Sequence, residues 1–155
     1  MRQVPKYVLA YLLWVVSIAL GALGALLIRQ AISGMFGIAL LNADPEHEFS
    51  LRMQSNAADR FGVIILGIVL LMLIVVAEHF YRTGVQQGRL LRYFSLFTAI
   101  ELAVLLVSNT IILGQSLRAG LPAGGNVAVE VIILTLLVLF IWLYRREKAK
   151  PISYV

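Results

Sequence analysis

Apolar residues fall in four long runs, at about residues 7–32, 61–81, 93–117 and 127–144, and most charged residues gather between or beyond them. Each run has the ~20 residues that a helix rising ~1.5 Å per residue needs to cross a hydrocarbon core of ~30 Å. The pattern predicts an all-α integral membrane protein, with four transmembrane helices forming one unit over residues 1–155. The stretch "RAGLPAGGN", Arg118–Asn126, is rich in Gly and Pro and predicts a tight turn between antiparallel helices. Arg2 and Lys6 before the first run imitate a signal peptide. That run is far longer than an h-region of ~7–15 residues, so it reads as a retained span.

The segment between the first two spans has two parts. "SGMFGIALL", residues 33–41, is apolar but too short to cross, and is predicted to lie in the interface. Beyond it, Asp44 is placed as an N-cap, Pro45 at the first helical position, and Glu46 and Glu48 in the first turn. Those are helix-start signals, predicting a short interfacial helix in this first outer loop. His47 between two glutamates raises metal binding. Neighbours on a helix point ~100° apart, so three in a row converge poorly on one ion, and no metal site is predicted.

Composition narrows the class. The chain is 61% hydrophobic with a mean hydropathy of +0.91, which excludes an ordinary soluble domain. It has no cysteine, hence no disulfide, thiolate metal site or iron–sulfur cluster of its own. The net charge of +5 does not predict nucleic-acid binding, because the basic residues are scattered beside apolar runs. Their distribution follows membrane topology instead. Arg2, Lys6, Arg82, Arg89, Arg92, Arg145, Arg146, Lys148 and Lys150 fall on one side, and Arg29, Arg52, Arg60 and Arg118 on the other. Basic residues concentrate on the cytoplasmic side, so both termini are predicted there, in an inner (plasma) membrane.

An ionisable group inside a span costs several kcal/mol unless it meets a partner or water, so each is a candidate site. Glu78 precedes Arg82 by four residues near the cytoplasmic edge, the orientation that favours an ion pair and an interfacial anchor. Glu130 falls in the first turn of the fourth helix, after Asn126 as N-cap, where the helix dipole favours a carboxylate. Arg29, near the same leaflet, is a candidate partner for it. Glu101 is deeper: eight residues after Tyr93, or ~12 Å at ~1.5 Å per residue. Ser95, Thr98, Glu101, Ser108, Asn109 and Gln115 gather toward one side of the third helix, and a polar stripe in a span faces other helices or water. Glu101 therefore reads either as a structural group, neutral or hydrogen-bonded by neighbouring helices, or as part of a proton or ion relay. The sequence favours the structural reading, because no second acid stands at matching depth.

His79 is the one histidine within a span, so it alone could ligate a haem or another pigment; His47 lies on the opposite face. A place in the interfacial aromatic belt beside Phe80 and Tyr81 is the simpler expectation, and no cofactor is predicted. In the first helix, Ser17, Gly21 and Ala25 repeat at four-residue spacing, with Gly24 alongside. Small residues at that spacing let helix backbones approach. The second run, "FGVIILGIVLLMLIVVA", has almost no polar atoms and should face lipid or a partner subunit.

From about Ile64 to Lys150 the chain resembles the phosphate-starvation-inducible PsiE family of small bacterial inner-membrane proteins. The likeness is carried by "EHFY" closing a span, a short basic loop, "LRYF" and "TAI" in the next, and "WLYRREK" after the last. The outer loop is longer than that family implies, and Glu101 stands where it implies a basic residue. Membership would imply four spans in the inner membrane and no particular mechanism. No Ser/His pair within the spans, HExxH or strand-borne GxGxxG is present, so no enzyme is expected. The expected function is that of an accessory or structural subunit of a larger membrane complex, respiratory or photosynthetic, with lipid and other membrane subunits or further copies as partners. A transporter built around Glu101 is the alternative, and single-ligand pigment or haem binding by His79 a second.

Overall fold

The structure, a computed structural model, describes residues 4–149; Arg2 and Lys150, part of the basic asymmetry, lie outside them. It contains four α-helices: α1 (Val4–Leu41), α2 (Pro45–Gln86), α3 (Leu90–Arg118) and α4 (Gly124–Ala149). There is no strand among the described residues, and all four helices are long and apolar enough to cross a membrane.

The helices overrun the apolar runs. α1 has 38 residues and α2 has 42, so each is roughly twice as long as a ~30 Å hydrocarbon core requires. Residues 33–41 continue α1 without a break, and the helix begun at Asp44 and Pro45 runs straight on into the second span. The separate short helix expected in this loop is instead the opening turns of α2. The reason is local: neither Gly nor Pro interrupts residues 46–61, and Arg52 binds Glu48 across one turn at 2.6 Å.

Tight, glycine-dependent reversals close α2 and α3. Gly88 (φ 67°) and Gly120 (φ 66°) take the left-handed conformation that side chains disfavour. At the first, Arg89 N–H bonds Gly84 C=O at 2.8 Å and Gly88 N–H bonds Val85 C=O. At the second, Leu121 N–H bonds Ser116 C=O at 2.9 Å and Gly120 N–H bonds Leu117 C=O. Both are Schellman caps, which use up the last free carbonyls of a helix. α4 starts at Gly124, two residues before the expected N-cap. Asn126 instead donates from Nδ2 to Ser116 Oγ and accepts a bond from Asn109 at its carbonyl.

The helices do not close into a ring. α1 packs on both α2 and α3, α2 touches α3 less extensively, and α4 packs on α3 alone. α3 is consequently the buried helix, with Ser95, Thr98, Glu101, Leu102, Leu105, Ser108, Asn109 and Ile112 inside. α4 buries only Ile133, and the apolar run of α2 is largely exposed. Two cores result. One joins Ala10, Ala77, Tyr81 and Val85 under a shell of aromatic rings; the other joins Leu102, Leu105 and Ile133 with Leu20 and Leu27.

Candidate functional site

The polar interior lies where α1, α2 and α3 meet. The residues buried there are Ser17 (0% exposed), Tyr81 (2%), Thr98 (2%) and Glu101 (4%). α1 supplies Ser17 on its small-residue face. Gly21, one turn on, lies against Leu73 and Leu70 of α2, and Gly24 against Val104 and Leu105 of α3. Ala25 is half-buried on the same helix. The close-approach face of α1 is therefore spent within the chain, which brings Ser17 up to α2. Its hydroxyl lies 2.6 Å from Tyr81 Oη, and either oxygen can donate.

Tyr81 is held by aromatic packing. Its ring centroid is 5.9 Å from Phe97 and 6.4 Å from Phe94, while Phe80 beside it stacks on Tyr93 and Phe97 at 5.4 and 5.5 Å. Close passage of the α2–α3 turn fixes the cluster: a Cβ at Gly84 would stand 3.2 Å from Leu90 Cα and 2.9 Å from Tyr93 Cδ2. Trp14 Nε1 donates to Ile74 C=O at 3.2 Å, tying α1 to α2 one turn from Ser17.

Glu101 faces this group from α3. Its carboxyl lies beside the Ser17 hydroxyl, the neighbour able to hydrogen-bond it, and interacts electrostatically with the Tyr81 hydroxyl, yet neither carboxyl oxygen makes a hydrogen bond of good geometry. Thr98 Oγ1, one turn earlier on the same face, is also unpartnered. Other helical hydroxyls satisfy themselves: Ser95, Ser108, Ser116 and Thr135 each donate to the carbonyl four residues back. Thr98 does not.

The remaining charged candidates sit elsewhere. Arg29 does not meet Glu130; it forms a two-pronged bridge to Asp59 of α2, Nε–Oδ1 2.7 Å and Nη2–Oδ2 3.0 Å. The cause is the helix order, since α1 packs on α2 and nowhere reaches α4. The Arg29 hydrogen bonds hold the Asp59 carboxyl below the usual carboxylate range. Glu130 instead faces α3, with Oε2 3.3 Å from Asn109 Nδ2 and Oε1 2.6 Å from Thr110 Oγ1. Gln115, at the far end of the stripe, donates to Ala31 C=O at 2.7 Å, and its amide fills the space beside Gly34. Glu78 and Arg82 approach to 3.6 Å, both well exposed, and a pair of that kind contributes at most a few tenths of a kcal/mol. His79 lies on the exposed face of α2, edge-on to Phe80 at 6.0 Å. No group of three His, Cys, Asp or Glu residues able to hold a metal occurs among the described residues.

Sequence reasoning placed Glu101 and Thr98 on one stripe but missed Tyr81 and the hydrogen-bonding use of Ser17. The signal was available: Ser17 is the one aliphatic hydroxyl in the first apolar run, mid-span, where a lone polar group needs a partner. No protein-family model, curated protein or solved structure matches the chain.

Proposed function

We propose that the chain is a non-enzymatic accessory subunit of a larger membrane assembly, of the kind that respiratory and photosynthetic membranes contain. In this reading both termini face the cytoplasm across a plasma membrane, following the basic asymmetry. The observation that carries the reading is the α1–α2 hairpin beyond the Arg29–Asp59 bridge. An exposed ion pair belongs near the water boundary, yet α1 continues from there to Leu41, ~18 Å further at ~1.5 Å per residue. On that extension Met35 is 60% exposed, Leu41 78%, Phe49 74% and Met53 61%. Large apolar side chains grouped outside the bilayer mark a contact surface. The occupant we assign is another membrane chain, either a further copy or a different subunit.

The words shared with the PsiE family, "EHFY" and "LRYF", fall on the tightly packed α2–α3 hairpin end. A place in that family would leave the proposal unchanged, since it implies four spans and no mechanism.

Extraction into native lipid discs, with mass determination of every associated chain, tests the reading. A stoichiometric partner or a homo-oligomer is expected, lost in the Phe49→Ser/Met53→Ser double variant while helicity is kept. A parent protein that is monomeric throughout would refute the proposal. Single cysteines test the orientation: one at Ser55 should react with an impermeant thiol reagent in intact cells, and one at Gln87 should not.

A further inference from the structure

Between α1 and α3 the helices part into a groove whose walls come from these two elements alone. Ile28, Ile32 and Met35 of α1 form one wall, and Ile100, Val104 and Ile111 of α3 the other. It encloses about 490 Å³, inside the ~300–1,000 Å³ of clefts that take small molecules. Ser108 is the one polar residue in the lining, and its hydroxyl is already given to the Val104 carbonyl at 2.9 Å. Nothing in the groove is left to recognise a polar ligand, so what fills it is apolar.

Position narrows the occupant further. α1 and α3 run parallel: Gly24 lies against Val104 and Leu105, and Gln115 reaches the Ala31 carbonyl. Arg29, next to Ile28, forms the exposed bridge to Asp59, and an exposed ion pair belongs near the water boundary. The groove therefore runs from that boundary into the hydrocarbon, toward Ile100. From Ile111 to Ile100 it covers ~16 Å at ~1.5 Å per residue, the reach of an acyl chain in one leaflet of a ~30 Å core.

A cation stands at the water end of the same face. Ile100, Val104, Val107, Ile111, Gly114 and Arg118 recur at three- and four-residue spacing, which puts them in one row along α3. Gly114 leaves that row open, since a Cβ there would meet nothing within 4 Å. Side chains on a helix lean toward its N-terminus, which carries Arg118 back over Gly114 toward the groove. Arg118 is exposed and has no hydrogen-bond or ion-pair partner among the described residues. The other arginines of this end are engaged or stand apart: Asp59 holds Arg29, Glu48 holds Arg52, and Arg60 sits on α2, which does not line the groove. A guanidinium matches a phosphate with two parallel N–H bonds. Among the described residues no acid lines the groove to receive the cationic headgroup of a zwitterionic lipid.

We propose that the α1–α3 groove binds one anionic phospholipid, with an acyl chain along Ile100–Ile111 and the phosphate on Arg118. The apolar walls retain the lipid, and Arg118 selects its headgroup. Binding requires no partner chain, so it stands or falls apart from the subunit assignment.

Native mass spectrometry of the full chain tests the proposal. The delipidated protein in detergent is given equal amounts of phosphatidylglycerol and phosphatidylcholine with identical acyl chains. The parent should retain one phosphatidylglycerol in preference to phosphatidylcholine. Arg118→Gln should lower that preference about fivefold, the contribution of one basic residue to holding an anionic lipid. Arg60→Gln, which removes the same charge from the same end outside the groove, should leave it unchanged. Val107→Trp, at an exposed position of the groove row, should reduce retention of both lipids by filling the space. Should Val107→Trp fail to fold, the arginine pair decides. Equal retention of the two lipids by the parent, an undiminished preference in Arg118→Gln, or equal losses in the two arginine variants would reduce the groove to ordinary annular contact and overturn the proposal. A Val107→Trp variant that keeps its lipid but loses an oligomer would assign the groove to a second protein chain and overturn it likewise.

Discussion

The two ends of this protein are held together by different physics. At the end carrying Glu78 and Arg82, helices meet through aromatic rings and a glycine: Phe80 on Tyr93, Tyr81 on Phe97, and Phe94 edge-on to Phe140 at 5.7 Å over the Gly84 approach. At the other end they are tied by polar bonds: Gln115 to the Ala31 carbonyl, Arg29 to Asp59, and Asn109 with Thr110 around Glu130. Shape complementarity fails abruptly when volume changes, whereas polar contacts between membrane helices average ~0.6 kcal/mol and reach ~1.7. The first end should thus be brittle toward added bulk and the second should degrade in small steps. The unpartnered carboxyl lies on the brittle side, where surrounding packing holds Ser17 and Tyr81 in place around it.

The largest effect should come from Gly84→Leu. Its Cβ would press on the Leu90 backbone, which cannot move aside, so the cost should lie at the upper end of the ~1–3 kcal/mol typical of overpacking. Loss of folded protein, followed by SDS-induced unfolding in mixed micelles, is expected. The counterpart is Gly34→Ala, whose new methyl meets only the flexible end of Gln115. It should cost about the one Gln115 bond, ~1 kcal/mol. Equal losses in the two variants would erase the distinction between the ends. Gln115→Leu should lie in the same range, ~0.6–1.7 kcal/mol by the same assay.

The smallest effect belongs to Asp59→Asn, an exposed pair open to salt screening. Here pH supplies the signature. The Asp59 carboxyl is held below the usual range by Arg29, so its contribution is full above the ordinary aspartate pKa and is lost as pH falls through the lowered folded value. The parent should lose this increment only on acidification, and Asp59→Asn should show no such step. A bridge contribution that vanished on raising the pH instead would contradict the assignment.

Much of this fold was legible because its signals are local. Long apolar runs mark the four helices, and Asp44–Pro45 marks the start of α2. The continuity of α2 was legible too, in the lack of any breaker between Glu46 and Phe61, but the charged character of that segment masked it. Helix neighbourhood was not legible. Four apolar helices are interchangeable to a hydropathy pattern, so nothing in the sequence says that α4 touches only α3, and Arg29 was assigned to Glu130 when its neighbour is Asp59. The polar stripe of α3 follows from helical periodicity within one element. The joining of Ser17, Tyr81 and Glu101 across three elements follows only from their packing.

The contrast between the Glu130 carboxyl of α4 and the Glu101 carboxyl of α3 is the centre of this account: Glu130 is bonded by its neighbours, and neither oxygen of Glu101 makes a hydrogen bond of good geometry. Unfolding of Glu101→Leu and Glu130→Leu, compared side by side in mixed micelles, tests it most directly. Removing a buried group that has no partner should leave stability equal to the parent or higher, while Glu130→Leu should lose ~1 kcal/mol as Asn109 and Thr110 give up their bonds. If Glu101→Leu is instead the less stable of the two, Glu101 is a bonded clasp of the bundle and not an unpartnered carboxyl.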